Sequence, residues 1–402
     1  MSTLANALPT TSNPLTSRLR GWLEKMGPSL DLGSFEVRLP GAEPLAFGLG
    51  KPAFTIECHD NSAMAAILSQ DEGTIADAYI RGSLDLRGDM LELYKLRNAL
   101  SDRHWLFYVW SVYLHPLFRG QVSCDKRWIA HHYDNDSDFF LLFLDKKTRA
   151  YSQAVFQDAN EPLEDAMERK LEFALRSCQL RPGDRVLDIG GGWGAFTEYA
   201  GSRGIHVTSL TISQESERFL GQLVKDKGLS AEIRCEHFFE HRPERRYDAI
   251  VNLGVTEHLP DYRTSLRRYA SLVKPGGRVY LDASACRVKY EFSSFISRHI
   301  YPGNASPMCF RDYVVEVEKS PFEIISVHND RLNYEITARR WAENLDAGRD
   351  EITRRWGEEL YRKYRLYLWG TAHAFASNLM TAYRIVLQLP AVEENLSRWD
   401  LK

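Results

Sequence analysis

Apolar positions divide the chain into a front part of short mixed elements and a longer part in which strand and helix patterns alternate. In the front part, apolar residues at helical spacing predict a helix over residues 15–26. Alternating apolar and polar residues between turn residues then predict strands within 35–58, and a second helical pattern covers 63–70. We therefore expect a small α+β domain at the front of the chain.

From residue 165 onwards the pattern becomes a regular alternation. Buried strands are predicted at 185–189, 205–210, 231–235, 247–253 and 278–283, with helices at 193–202, 213–227 and 262–273. Such alternation builds a parallel sheet with helices on both faces, so we expect a doubly wound α/β domain. Residues 286–345 interrupt the alternation, a long helix is predicted over 352–376, and a last strand over 382–388.

Length, charge and cysteine spacing narrow the class of protein. A chain of 402 residues exceeds the common size of one domain, and 44% apolar with 26% charged residues is typical of a soluble globular protein. The net charge of -3 argues against a nucleic-acid partner, which needs a basic excess. The six cysteines form no pair with metal-ligand spacing, so no metal site is expected. Because no secretory signal and no bilayer-spanning apolar run occur, we expect a cytoplasmic protein, free or peripheral to a membrane.

An aromatic-rich segment over residues 104–119, with the sequence HWLFYVWSVYLHPLFR, extends the front domain. It is too apolar for an ordinary surface helix and too short to cross a bilayer. Two explanations are open: the segment is buried in the core, or it faces lipid at a membrane interface.

The strongest local signal for chemistry is the sequence VLDIGGGWG over residues 186–194. A strand that ends in clustered glycines and opens a helix lets a ligand approach bare backbone at the carboxyl edge of the sheet. Ala195 breaks the dinucleotide spacing, and Asp188 precedes the loop, where an acid can face the cofactor. These features favour an adenosine ligand without phosphates, of which S-adenosylmethionine (SAM) is the common one. The next strand ends in Thr211-Ile212-Ser213 rather than in the usual ribose-binding acid, and these hydroxyls could equally cap the following helix.

Longer stretches carry a resemblance that extends over nearly the whole chain. They are TIADAYIRGSLDLRGDMLELYKL (74–96), HHYDNDSDFFLLFLD (131–145), AYSQAVF (150–156), RPGDRVLDIGGGWGAF (181–196), TSLTISQES (208–216), YDAIVNLGVTEHLPDY (247–262), LNYEITARRW (332–341) and YLWGTAHAF (367–375). With these motifs the sequence resembles the cyclopropane-fatty-acyl-phospholipid and mycolic acid cyclopropane synthase family of SAM-dependent methyltransferases. The resemblance implies a class I, Rossmann-like methyltransferase domain.

The resemblance also implies a set of site residues. The positions that match SAM-binding residues are Tyr151, Ser152, Gly190, Gly192, Thr211 and Ile212, with Ser216 where the family usually has glutamine. Glu257, from the triplet Thr-Glu-His after the fourth strand, matches the active-site glutamate, and Tyr334 matches the active-site tyrosine. The alternatives are a surface acid for Glu257 and a packing side chain for Tyr334.

Two departures from the family pattern change the expected chemistry. In the family a cysteine and a histidine help to surround a bound bicarbonate, and this chain has Gln153 and Asp282 at those places. Asp282 would add a second carboxylate near Glu257, and two anions repel a third, so bicarbonate is not expected to bind. Our hypothesis is that Asp282 or Glu257 accepts the proton, with like-charge proximity raising one pKa, or that the proton leaves from a different carbon. The alternative is that Asp282 only organises the site through a hydrogen bond.

The predicted organisation is a loose arm over 1–14, a lipid-associated α+β domain over 15–120 and a catalytic domain over 121–402, with an active-site cap around 286–345. The predicted function is SAM-dependent C-methylation of unsaturated acyl chains of membrane phospholipids, with a methyl- or methylene-branched product favoured slightly over a cyclopropane. Homodimerisation through the front domain is a further expectation. The alternatives are O- or N-methylation of a small metabolite and SAM binding without catalysis.

Overall fold

A computed structural model describes residues 14–26, 32–102, 136–287, 293–301 and 306–391. The chain forms two compact units, Met1–His104 and Trp105–Lys402. The aromatic segment 104–119 and the expected boundary at residue 120 lie outside the described residues, as does the arm up to residue 13. The roles predicted for these segments therefore stay predictions.

The first unit is a small α+β structure, as predicted. Its elements are α1 (Pro14–Met26), β1 (Phe35–Arg38), β2 (Leu45–Phe47), β3 (Phe54–Cys58), α2 (Asn61–Ser69), α3 (Glu72–Ile80), β4 (Leu84–Gly88) and α4 (Met90–Tyr94). The strands are ordered β2-β1-β3-β4, and Phe35 of β1 stacks on Phe54 of β3 inside the sheet's core face. Asp60 and Asp71 begin α2 and α3 by accepting a hydrogen bond from the first turn of each helix, which satisfies an otherwise unpaired backbone N–H group.

The second unit is built around a mixed sheet with helices on both faces. Its described elements are α5 (Ser137–Phe143), α6 (Leu163–Ser177), β5 (Arg185–Ile189), α7 (Ala195–Gly201), β6 (His206–Thr211), α8 (Gln214–Lys227), β7 (Ala231–Cys235), β8 (Tyr247–Leu253), α9 (Tyr262–Leu272), β9 (Val273–Cys286), β10 (Met308–Cys309), α10 (Phe310–Glu318), β11 (Glu323–Asn329), α11 (Arg331–Ala347), α12 (Arg349–Trp356), α13 (Glu358–Ala376) and β12 (Thr381–Gln388). The sheet order is β11-β12-β9-β8-β5-β6-β7. All strands predicted in this unit are confirmed within a few residues.

Three features of the second unit differ from the sequence-based expectation. The sheet is not wholly parallel, because β12 pairs antiparallel with β9, and β11 with β12. The hydrophobic pattern predicts that a strand is present, but it does not predict whether the strand runs parallel or antiparallel to its neighbours. The edge strand β11 lies inside the region taken as an interruption, and its outward residues Ile325 and Val327 are exposed. The long helix predicted over 352–376 is two helices, separated at Gly357, whose positive φ of 91° breaks the helical path.

The parallel strands β5, β6, β7, β8 and β9 end at one edge of the sheet. Because ligands of doubly wound folds bind outside the carboxyl ends of such strands, this edge is where the predicted site residues should meet. No helix within the described residues is long and apolar enough to span a bilayer.

Candidate active site

The glycine loop after β5 opens onto a cleft whose empty space, with the open solvent at its mouth included, is about 1070 Å³. Gly190 and Gly192 have positive φ values of 77° and 52°, which side chains rarely adopt. A Cβ atom on Gly190 would lie 2.3 Å from Cγ2 of Val255, so the loop packs against the turn after β8. A Cβ atom on Gly192 would meet no atom closer than 3.8 Å, so this backbone position has open space beside it for a ligand.

The structure brings the predicted cofactor residues together around this cleft. They are Tyr151, Ser152, Asp188, Gly190, Gly192, Thr211, Ile212 and Ser216. Asp188 is buried, and its Oδ2 accepts hydrogen bonds from Thr197 (2.7 Å) and Ser209 (3.2 Å), which tie β5 to α7 and β6. Burial raises the pKa of Asp188 to about 6.

The end of β6 carries helix-capping residues, as the alternative explanation proposed. Oγ of Ser213 accepts a hydrogen bond from the backbone N–H of Ser216 and so caps α8. Oγ of Ser216 in turn donates to the carbonyl of Gly192 at 2.7 Å, which fixes the glycine loop. An acid reaches the cleft from the next strand instead: Glu236 follows β7, and its Oε1 lies 2.6 Å from Nδ1 of His241. Glu236 directly follows a predicted strand, and this position in the sequence could have identified it as a cleft residue.

Glu257 lies on the short turn Thr256–His258 between two cleft residues, Val255 and His258. Its Oε1 accepts hydrogen bonds from the backbone N–H (2.7 Å) and the hydroxyl (2.9 Å) of Ser284 on β9. Its Oε2 is buried and has no hydrogen-bond partner among the described residues. Burial is the main cause that raises the pKa of Glu257 to about 7, and the charge of Asp282 adds to it.

Asp282 lies two residues before Ser284 on β9 and is fully buried. Residues two apart on a strand share one face, at roughly 7 Å along it, so the carboxyl groups of Asp282 and Glu257 are neighbours. The pKa of Asp282 is raised to about 6, chiefly by burial. Both pKa values are therefore raised, which is the expected direction. The main cause is burial, however, and not the like charge that we had expected.

A buried lysine, Lys170 of α6, was not predicted from the sequence. Its Nζ lies 2.7 Å from Oγ of Ser152 and 3.8 Å from Oδ2 of Asp282, and it also lines the cleft. Lysine side chains are usually exposed to solvent, so the residue type alone does not predict a buried position for Lys170. Its spacing from Leu163, Met167 and Ala174, all on the buried side of α6, was the available signal.

The two remaining predicted residues occupy different surroundings. Gln153 is fully buried, and neither polar atom of its side chain has a hydrogen-bond partner among the described residues. Tyr334 stacks on Phe375 with ring centroids 4.3 Å apart and meets the edge of Trp341, whose ring lies 5.3 Å from that of Tyr151. Tyr334 is thus connected to the cleft through aromatic rings.

Aromatic side chains also surround the turn that carries Glu257. The rings of His258 and Tyr301 are 5.5 Å apart, and the hydroxyls of Tyr301 and Tyr367 are 3.4 Å apart. Burial raises the pKa of Tyr367, and the nearby charge of Glu257 also contributes to this rise. Tyr367 is therefore the tyrosine of this group that the charge of Glu257 reaches.

Residues 121–385 match the family model described as mycolic acid cyclopropane synthetase. The chain belongs to this family. It is therefore a SAM-dependent methyltransferase, with SAM as its cofactor, from a family that modifies lipids.

The relatives of this methyltransferase include lipid enzymes from bacteria and fungi. A probable fatty acid methyltransferase of Pseudomonas putida is 26% identical over 381 residues, which are 92% of this chain and 95% of that protein. A sphingolipid C9-methyltransferase of Candida albicans is 26% identical over 337 residues, which are 78% of this chain but only 65% of that protein.

Solved structures of the family share the fold. The cyclopropane synthase MmaA2 from Mycobacterium tuberculosis matches with a TM-score of 0.61 and 25% identity over 65% of this chain and 98% of that one. The mycolic acid cyclopropane synthase CmaA1, solved with S-adenosylhomocysteine (SAH), matches with the same values. The class I methyltransferase fold of the second unit is thus confirmed.

The two ligands that the family suggests fit this methyltransferase differently. The open backbone at Gly192 and the cleft beside it fit SAM. Bicarbonate does not fit, because an anion at the family's position would meet two carboxyl groups, and the lysine at this place is already paired with one of them. Among the described residues, no cluster of side chains could hold a metal ion.

Proposed function

We propose that this methyltransferase adds a one-carbon unit to the double bond of unsaturated acyl chains of membrane phospholipids. The observation that carries the proposal is a pair of neighbouring carboxyl groups, the fully buried Asp282 and the half-buried Glu257 with its buried Oε2, beside an apolar cleft with aromatic lining residues that fits SAM. Methylation of an oxygen or nitrogen needs only one base in a polar pocket, whereas methylation of an alkene needs both a stabilised cation and a proton acceptor.

The chemistry of an alkene defines what the protein must supply. Bound SAM supplies an electrophilic methyl group. An isolated double bond is a weak nucleophile, so the chain must position it, exclude water and stabilise the cation that forms. We assign the stabilisation of that positive charge to the carboxyl of Glu257 and to the ring of Tyr367 near it. Tyr334 supports the cleft residue Tyr151 through the ring of Trp341.

The cation is discharged when a proton leaves. We propose Asp282 as the acceptor and Glu257 as the cation-stabilising carboxyl, with Gln153 replacing the family's cysteine beside them. If the C–H bond of the new methyl group breaks, its electron pair closes a cyclopropane; if a 1,2-hydride shift has first moved the positive charge to the carbon that carries the methyl group, the same pair forms a methylene group. If a neighbouring C–H bond breaks, its pair forms a new double bond, which leaves a methyl-branched chain that is still unsaturated. The loss of the family's bicarbonate ligands favours a branched product.

Membrane phospholipid is our choice among lipid substrates. The Pseudomonas putida relative, which this chain covers almost completely, carries a fatty acid methyltransferase name, while the sphingolipid enzymes are longer proteins. Because the proposed substrate is a lipid of the membrane, we propose that the protein works at the cytoplasmic surface of the membrane.

Lipid extraction and mass spectrometry of cells with and without the protein test the proposal. We expect phospholipid acyl chains that have gained one methylene unit, and none in cells expressing the Glu257→Gln variant at the same level. New methyl groups only on head groups, or on small polar metabolites, would overturn the proposal. Methylation confined to sphingolipids would reject phospholipid as the substrate class while leaving C-methylation in place.

A further inference from the structure

Lys170 lies at the centre of the predicted proton-accepting site without a role in the function proposed above. Its side chain is completely buried, as is that of Asp282. Nζ of Lys170 donates a hydrogen bond to Oγ of Ser152 at 2.7 Å, and this hydroxyl donates to Oδ2 of Asp282 at 3.4 Å. Ser152 therefore bridges the cation and the carboxylate: Lys170 and Ser152 line the cleft, and Asp282 lies behind them on β9.

A second buried ion pair lies next to the first. Arg384 of β12 stands directly opposite Asp282 in the antiparallel register. Its guanidinium bonds both carboxylate oxygens of Asp330 and lies over the ring of Phe173. Because Arg384 is engaged by Asp330, Lys170 is, within the part of the chain that the structure describes, the cation left to compensate Asp282.

The other charged groups around the pair act in known directions. Asp330 raises the pKa of Asp282, whereas Lys170 and the backbone N–H of Gly254 lower it. Burial lowers the pKa of Lys170, and the charges of Asp282, Asp145 and Asp330 oppose this effect. Glu257 and the buried hydroxyl of Tyr280 complete the surroundings of Asp282.

We propose that Lys170 is a positioning residue that keeps Asp282 ionised and directs its second oxygen, Oδ1, towards the proton to be removed. Oδ2 of Asp282 is held by Ser152 and Lys170, while Oδ1 is buried and has no hydrogen-bond partner among the described residues. A base needs such a lone pair. The proton that leaves the cation binds to Oδ1, its C–H electron pair stays on the product, and Lys170 keeps its own proton.

The inference deepens the proposed function and rests on Asp282 being the base of that reaction. Without Lys170, a fully buried carboxyl would take up a proton at neutral pH. An opposite charge within about 4–6 Å changes an aspartate pKa by about one to three units, so the acidic limb of the pH–rate profile should move up by that amount. The rate at pH 7 should fall roughly 2- to 100-fold and recover at higher pH.

The test compares Lys170→Met with Lys147→Met. Lys147 is an exposed lysine that pairs with Glu168, and Glu168 lies on α6, the helix that also carries Lys170. Initial rates are measured against pH with SAM and vesicles of monounsaturated phosphatidylcholine. We expect the limb to move only in Lys170→Met, with little change in KM for SAM. An unmoved limb would overturn the proposal, even if the rate were lower throughout.

Infrared difference spectra against Asp282→Asn provide a readout that needs no turnover. At pH 7 the wild-type protein should show a mainly ionised Asp282, and Lys170→Met should show the carbonyl stretch of a protonated acid at this residue in about half of the molecules or more. The same ionisation state in both proteins would contradict the role of Lys170. If Lys170→Met does not fold, the Lys170→Met, Asp282→Asn double variant should restore folding, and failure to do so would equally count against the pair. A wild-type protein inactive on vesicles would refute the proposed function, while the infrared result would still decide on Lys170.

Discussion

Replacing Glu257 by glutamine keeps the shape of the side chain and removes its charge. Oε1 of the glutamine can still accept both hydrogen bonds from Ser284. In the wild-type protein burial raises the pKa of this carboxyl to about 7 from an ordinary value of 4.5. A carboxyl with a raised pKa favours the folded state at pH values below its ordinary pKa, and this contribution is lost as the pH rises through the folded value.

The size of the effect follows from the two pKa values. Their difference of about 2.5 corresponds to roughly 3 kcal/mol of unfolding free energy, lost by the wild-type protein between about pH 4 and pH 8. Glutamine does not titrate. The variant should therefore gain stability relative to the wild type as the pH rises. For a unit as large as Trp105–Lys402, we expect the Tm of the variant at pH 8 to be higher by about 5 °C. Turnover should fall about 100-fold or more, because a charge that stabilises the cation is missing.

Thermal unfolding at pH 5 and pH 8, together with turnover at pH 8, measures both effects. Glu232→Gln, at an exposed position on β7, is the control and should change neither. A Tm difference between wild type and Glu257→Gln that is the same at both pH values would refute the buried-carboxyl reasoning. Near-normal turnover of the variant would show that the stabilising charge lies elsewhere.

Other consequences concern the cofactor and the missing ion. Gly192→Val should abolish binding of SAH measured by calorimetry, because a side chain would enter the cleft at a backbone position with φ of 52°. The control is Gly183→Val, at another glycine with positive φ and open space around it, and this variant should bind SAH normally. Equal losses of binding in both variants would show that backbone strain alone is the cause. Bicarbonate-free, degassed buffer should leave the rate unchanged, and a rate that falls on depletion and recovers on addition would contradict the assignment of Asp282. The double variant Asp282→His, Gln153→Cys should acquire a bicarbonate response and shift the product towards cyclopropane, and a product ratio identical to wild type would argue against this interpretation of the two positions.

Much of the second unit could be predicted because its central strands are buried on both faces. Segments such as Arg185–Ile189 and Tyr247–Leu253 are mostly apolar and almost continuously buried, and few other structures produce such segments between helical patterns. Edge strand β11 has the burial pattern of a half-exposed strand and lacks this signal. The direction of β12 depends on how the chain returns to the sheet, which no local pattern encodes.

The candidate site divides in the same way. The residues that line the cleft were accessible to sequence reasoning because a glycine loop at a strand end has few structural alternatives. The pairing of Lys170 with Asp282 was not, because the two are separated by 112 positions in the chain (282 minus 170) and meet only through the packing of α6 on β9. The cause of the carboxyl pKa values was misjudged for a related reason: the sequence shows that charges are near one another, but not how completely each is buried.

Transfer of an isotopically labelled methyl group from SAM to vesicles of monounsaturated phospholipid, catalysed by the purified protein, tests the central claim most directly. Fragmentation mass spectrometry of the product locates the label. We predict that the label lies within the acyl chain, at the carbons of the former double bond, and that Glu257→Gln and Asp282→Asn each reduce its appearance strongly. Label found on the head group, or no label in lipid while a small amine or hydroxyl compound is methylated, would contradict the account.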